Sequence, residues 1–259
     1  MTNSTKQAGY RTLQPPKIID TIDVLCRRID ERFPQSSLGQ VAAELHRLAG
    51  EAVVRAARIR RPNLWLRAGI GLLVAGLTAI VVQAVRYLRV DDQVLVFEHF
   101  VQTFEASLGS LVFVGAAIVF LFSLELRMKR RRALDAVMEL RSIAHIIDMH
   151  QLTKDPERVT GRGQATASSP KRSMTPFELG RYLDYCSELL SLVSKTGGVY
   201  VQEFPDAVAI EAVDRLANLT ADLSRNIWQK IMILEHVVGG PRVEPPAVVA
   251  SPPQSEPGT

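Results

Sequence analysis

Two stretches of this chain carry no charged residue, and they limit its possible folds more than any other feature. They run from Ala68 to Val85 and from Ala106 to Leu124. An α-helix rises about 1.5 Å per residue, so crossing a bilayer core of about 30 Å takes roughly 20 residues. Each stretch reaches that length when the adjoining apolar residues are added. The sequence therefore predicts two transmembrane helices, in preference to a pair of buried helices in a soluble core.

Basic residues are distributed unequally around these two stretches. The segment that connects them contains only Arg86 and Arg89 as basic residues. Cytoplasmic segments next to transmembrane helices carry an excess of Lys and Arg. We therefore predict cytoplasmic termini, an external connector and a location in the inner (plasma) membrane. The basic residues that determine this topology are Arg58, Arg60 and Arg61 before the first span and Arg127, Lys129, Arg130, Arg131 and Arg132 after the second.

Apolar residues recur at helical spacing on both sides of the two predicted spans. The predicted fold class is an all-α membrane protein: a two-span transmembrane helical hairpin with a cytoplasmic helical bundle built from the N- and C-terminal segments. The expected divisions are residues 1–16, a disordered arm; 17–61, N-terminal cytoplasmic helices; 64–126, the transmembrane hairpin with a short external connector at 87–105; 127–151, a cytoplasmic extension of the second span; 152–174, a flexible linker; 175–240, C-terminal cytoplasmic helices; and 241–259, a disordered Pro-rich tail.

Local signals predict where several helices begin and end. Ser37 and Gln40 form a possible capping box before a helix whose apolar seam has coiled-coil spacing. Pro62 and Asn63 then break or kink the chain ahead of the first span. We predict that Thr175 begins a helix, that Gly197-Gly198 ends it, that Val199 to Phe204 is an extended connector, and that Asp206 begins the last helix.

The strongest candidate for chemistry is the group His145, Asp148 and His150, because the sequence contains neither a GxxxxGK[ST] phosphate-binding loop nor a GxSxG nucleophile motif. His145 and Asp148 share a helix face. His150 lies about 140° around the helix from His145, so one helix cannot direct both imidazoles at the same ion. The alternative to a metal or catalytic site is hydrogen bonding within the bundle. We expect this alternative, with no metal and no cofactor.

A second polar group occupies residues 181–188. Tyr182 and Cys186 are predicted to face the core, and both cysteines of the chain, Cys26 and Cys186, are predicted to be free core thiols. The charged members of the group are predicted to form surface ion pairs: Arg181, Asp184 and Glu188.

Small residues recur every four positions in the first predicted span, at Gly71, Ala75 and Ala79. A face of this kind permits close contact between transmembrane helices. It either packs the two spans of one chain together or joins copies of the protein.

These patterns favour a membrane-anchored helical interaction or scaffold module that is not an enzyme. Its expected partners are the lipid bilayer, further copies of itself and a cytoplasmic protein. Nucleic acid is not expected, because the basic residues flank the spans and lack interleaved aromatic residues. The alternative is an oligomeric pore or membrane effector gated by the cytoplasmic bundle. In its order of elements the chain resembles the two-helix membrane effectors of bacterial nucleotide-signalled defence systems, a resemblance of layout without a shared motif.

Overall fold

The computed structural model describes residues 12–88, 97–154, 156 and 174–238, and all regular secondary structure in these residues is helical. The prediction of an all-α fold is therefore confirmed. The helices are α1 (Pro15–Arg32), α2 (Ser37–Arg60), α3 (Leu64–Leu88), α4 (Phe97–Leu152), α5 (Pro176–Glu203) and α6 (Ala207–Val238). The predictions that concern residues 1–11 of the arm, 89–96 of the connector, 157–173 of the linker and 239–259 at the C-terminal end lie outside the described residues.

Five of these helices pack around one hydrophobic core. Helix α5 contacts α1, α2, α4 and α6, so it lies at the centre of the bundle. Its buried side chains include Leu183, Leu189 and Leu190, which meet buried residues such as Ile22 of α1 and Leu140 of α4. The segments before the first apolar stretch and after the second therefore form a single bundle.

Helix α1 has the apolar spacing that the sequence predicts, and it reaches further towards the N-terminus than predicted. Ile18, Ile22, Leu25 and Ile29 are all buried. The helix begins at Pro15, so the last two residues assigned to the disordered arm are helical. Proline suits this position because the first helical residue needs no hydrogen-bonding N–H.

The N-cap of α2 is Ser36, and the prediction that Ser37 caps this helix is wrong. The Ser36 hydroxyl accepts a hydrogen bond from the Gly39 N–H at 3.1 Å. The two serines have the same chemistry, so the backbone decides which one caps the helix. Gln35 adopts a left-handed conformation with φ 56°, and the turn it makes leaves Ser36 in the extended conformation of a cap.

Helix α5 continues through Gly197 and Gly198 to Glu203, so the prediction that these glycines end it is wrong. The predicted extended connector from Val199 is also helical as far as Glu203. A glycine inside a helix costs about 1 kcal/mol relative to alanine. Burial of Val199 and Tyr200 offsets this cost. A Cβ atom at Gly197 would lie 2.9 Å from a methyl carbon of Leu216, so glycine at this position allows α6 to pack close to α5.

Helices α3 and α4 contain the two charge-free stretches, and both are long and apolar enough to cross a membrane. Almost none of either apolar stretch is buried by the rest of the chain. Of the helices that the structure describes, α3 contacts α4 alone. Helix α4 has 56 residues, a length of about 84 Å, and its second half lies inside the bundle. Helix α4 begins at Phe97, so residues 97–105 of the predicted external connector are helical and continuous with the second apolar stretch.

Candidate functional site

The structure does not bring His145, Asp148 and His150 together as one site. His145 is exposed. Asp148 accepts a hydrogen bond from the Gln151 side-chain amide at 2.6 Å, and the Nδ1 atom of His150 lies 3.4 Å from the Ser37 hydroxyl. Burial lowers the pKa of His150, and the nearby charge of Lys154 lowers it further. In the described part of the chain, no group of three metal-ligating side chains could hold an ion. The contacts of Asp148 and His150 are therefore those of the hydrogen-bonding alternative.

A buried polar contact fixes the end of α4, and sequence reasoning missed it. Gln151 is 2% exposed. Its backbone and side-chain oxygens accept hydrogen bonds from the Lys230 ammonium of α6 at 2.9 and 2.6 Å. The last carbonyl groups of a helix have no partner within the helix, so a cation from another helix stabilises them. This contact depends on the tertiary fold, because 79 residues separate its two partners.

The two cysteines differ in burial. Cys186 lies in the core as predicted, and burial raises the pKa of its thiol to about 12. Cys26 is only partly buried. Burial, followed by the charges of Asp23 and Asp30, raises the pKa of Cys26 to about 11. The thiolate is the nucleophilic form of cysteine, so both residues are protonated and unreactive near neutral pH.

The polar group at residues 181–188 has a structural role. Tyr182 is buried as predicted. Arg181 forms an ion pair with Asp184 at 2.9 Å. Glu188 pairs with Arg28 of α1 at 3.1 Å, so it connects two helices of the bundle.

Arg130, one of the residues expected to set topology, also holds the start of α6. Its guanidinium donates two hydrogen bonds to the Asp206 carboxylate, at 2.9 and 2.7 Å. Asp206 accepts two more from the N–H groups of Val208 and Ala209, both at 3.2 Å, and is therefore the N-cap of α6 as predicted. The Arg130 hydrogen bonds lower the pKa of Asp206, with smaller contributions from the two backbone N–H groups.

Replacing Asp206 should reveal both of these roles. Asp206→Ala removes the cap and the ion pair, and should destabilise the bundle by about 1 kcal/mol or more, the usual cost of a lost cap. Asp206→Asn keeps a capping oxygen and should cost less.

Because the pKa of Asp206 is lowered on folding, its charge stabilises the fold above the unfolded pKa of about 4. This contribution disappears as the pH falls through the folded pKa. The free-energy difference between wild type and Asp206→Asn in urea unfolding should therefore shrink below about pH 4, and a constant difference would contradict this role.

The chain passes from the bundle into the apolar helices at residues 61–63. The buried Glu125 carboxylate of α4 accepts a hydrogen bond from the Asn63 N–H at 3.1 Å and pairs with Lys129 at 2.9 Å. A buried carboxylate is stable only when it has such partners. Glu125 thereby joins the start of α3 to α4. Sequence reasoning missed this contact, for which the one local signal is Lys129, four residues after Glu125.

A cavity of about 360 Å³ lies beside this contact, and we call it the junction cavity. It is lined by Arg58, Arg61, Pro62, Asn63, Leu64, Trp65, Glu125, Met128, Lys129 and Arg132. Four of these side chains are basic and one is acidic, which leaves a surplus of three positive charges. Lys129 pairs with Glu125, whereas no carboxylate among the described residues pairs with Arg58, Arg61 or Arg132.

The structure thus separates the eight residues that were predicted to determine topology into distinct environments. Four line the junction cavity. Arg130 pairs with Asp206, and Arg60 lies 3.4 Å from Glu203 of α5. Arg127 and Arg131 are exposed on α4 outside the cavity.

The small face of α3 is open. Gly71, Ala75 and Ala79 are exposed, and a Cβ atom at Gly71 would have no other atom within 4 Å. Within the described part of the chain, α3 contacts only α4, and the partly buried residues on the contacting side are Leu66, Ile70, Leu73 and Leu77. Successive residues of an α-helix are rotated by 100°, so the small face lies on the side of α3 opposite to these contacting residues. It is therefore not used to pack the two apolar helices of one chain together.

Comparison with known proteins found no matching protein family, no similar curated protein and no similar solved structure.

Proposed function

We propose that this chain is a two-pass protein of the inner (plasma) membrane with both termini in the cytoplasm, and that its helical bundle is a non-catalytic interaction or scaffold module. The observation that carries this proposal is the large apolar surface of α3 and the first half of α4. Leu72 is 79% exposed and Phe113 is 81% exposed, and neighbouring large apolar side chains are exposed as well. A soluble protein rarely exposes a continuous apolar surface of this size. Lipid is the environment that would cover it.

The continuity of α4 supports a bundle that is held close to the membrane. Helix α4 passes without a break from the apolar stretch into the bundle. The contacts of Glu125 with Asn63 and of Arg130 with Asp206 join it to α3 and to the start of α6. A binding partner of the bundle would in this way be held at the membrane surface.

A second cavity among the described residues lies within the bundle. It has a volume of about 730 Å³ and lies between α1, α5 and α6. Its lining includes neither histidine nor cysteine. The Lys195 ammonium donates a hydrogen bond to the Ser191 hydroxyl at 2.5 Å. The two residues are four positions apart on α5, and the proposal assigns this contact no catalytic role.

Reporter fusions test the proposed topology. Fusions after Arg132 and after the C-terminal residue should report a cytoplasmic location, and an insertion at Gln93 should report an external one, because the basic residues flank the two spans on one side. The matched control is a fusion after Leu88, at the end of the first apolar helix, which lacks the second span and should report an external location. An external C-terminus in the full chain would contradict the proposal.

An oligomeric pore is the second candidate function, and the open small face of α3 favours it. A surface with no side chain against it in one chain is free to contact the same surface of another. Ion flux through liposomes that contain the purified protein distinguishes the two candidates. A protein that is only a membrane anchor should give the same ion flux as liposomes without protein. Steady flux that increases with assembled protein would contradict the anchor and support the pore.

A further inference from the structure

We propose that the junction cavity binds the headgroup of an anionic phospholipid. This inference rests on the proposed membrane location. It goes beyond that location because it assigns a defined lipid site to three arginines, Arg58, Arg61 and Arg132. General electrostatic attraction to a membrane would instead involve every basic residue near the membrane surface.

The charge of the cavity requires a negatively charged ligand. Guanidinium groups are planar donors that match the oxygen atoms of a phosphate, often through two hydrogen bonds. Three such groups from two helices and the connecting turn line one cavity, and the nearby carboxylate is already paired with Lys129. Gathering three like charges without a counterion is unfavourable. A lipid phosphodiester carries one negative charge, which offsets part of this surplus, and its oxygen atoms accept hydrogen bonds from the guanidinium groups.

The position of the cavity indicates that the phosphate belongs to a lipid. The cavity lies where the charge-free stretch of α3 begins, and Leu64 and Trp65 form part of its lining. Trp65 is 89% exposed, and tryptophan is enriched at the depth of lipid headgroups. A lipid with its phosphate in the cavity could extend its acyl chains along the exposed apolar side of α3. Basic pockets beside transmembrane helices on the cytoplasmic side are known to bind anionic lipid headgroups.

Native mass spectrometry of the full chain in detergent micelles tests the site, with phosphatidylglycerol and phosphatidylcholine as probes. The wild type should retain phosphatidylglycerol in preference to phosphatidylcholine. In the variant Arg58→Gln/Arg132→Gln, binding of the anionic lipid should weaken about tenfold to a hundredfold, because two charged hydrogen-bond donors are lost from the cavity. Arg58→Lys/Arg132→Lys keeps the charge, and should restore only part of the binding because it lacks the planar guanidinium group.

The matched control is Arg127→Gln/Arg131→Gln, which also removes two positive charges, from positions of α4 close to Arg132 but outside the cavity. It should weaken binding much less than the cavity variant, above all in about 0.5 M salt, where longer-range attraction is screened. Equal losses in the two variants would overturn the proposed site. Displacement of the lipid by millimolar inorganic phosphate would overturn the assignment to a lipid headgroup.

Membrane extraction with sodium carbonate separates this inference from the proposed function. Retention of every variant in the membrane pellet, together with a specific loss of lipid binding in the cavity variant, would support both. Retention without such a loss overturns only the lipid site. Release of the wild-type protein would contradict the membrane location itself, whatever the lipid measurement shows.

Discussion

Replacing Leu140 with alanine is expected to lower the free energy of unfolding of the bundle by about 2–5 kcal/mol. Leu140 is 2% exposed and lies on the second half of α4. One of its methyl carbons lies 3.8 Å from the position that a Cβ atom at Gly197 would occupy, so it packs where α4 crosses α5. Truncation would remove this contact and leave a cavity between α4 and α5, the central helix of the bundle.

Urea unfolding of the detergent-solubilised protein, followed by far-ultraviolet circular dichroism, measures this effect. Met138→Ala is the matched control, because Met138 is on the same helix and is 57% exposed. Its effect should stay within about 0.5 kcal/mol. If the two substitutions had equal effects, Leu140 would not be part of a packed contact, and the continuity between α4 and the bundle core would be contradicted.

The parts of the fold that were predictable from the sequence depend on local composition. The absence of charge over the length of a span identified α3 and the first half of α4. Apolar residues at helical spacing indicated the helices on both sides, such as α1, whose buried residues are Ile18, Ile22, Leu25 and Ile29. The capping box of α5 was also predictable, because Thr175 and Glu178 satisfy each other's backbone N–H groups three residues apart.

The errors occurred where tertiary packing overrides a local signal. Gly197 and Gly198 normally indicate a helix end. Here the burial of Val199 and Tyr200 against neighbouring helices extends α5, and the missing side chain at Gly197 gives Leu216 room to pack. No local pattern contains this information, because α6 has to be in place before the glycine is favourable.

The candidate sites were likewise predictable only where the signal is local in the sequence. Four basic residues of the junction cavity were identified from the sequence as topology signals, because the positive-inside rule depends only on their distance from a span. Their arrangement around one cavity was not predictable, since it requires α2 to end beside α4. Glu125 was missed for the same reason, because its contact with the Asn63 N–H joins residues that are 62 positions apart.

Ala75→Leu is expected to remove most of the self-association of the chain in membranes. Gly71, Ala75 and Ala79 are exposed on the side of α3 that points away from α4. Between transmembrane helices in lipid, attraction comes mainly from close packing, which small residues permit. A leucine side chain at the centre of this face would separate the two helix backbones. Crosslinking in membranes with an amine-reactive reagent should then give smaller amounts of dimers and of larger crosslinked species than in the wild type.

The matched control for this prediction is Ala116→Leu, which adds the same side chain at an exposed position of α4. It should leave the crosslinked species unchanged, because Ala116 lies outside the small face, and both variants should insert into the membrane normally. An equal loss in both variants would mean that the added volume disturbs the apolar helices in general. A wild-type protein that is monomeric in native membranes would contradict self-association, and it would also remove the physical basis of the pore, because two apolar helices per chain are too few to enclose a channel unless several copies assemble.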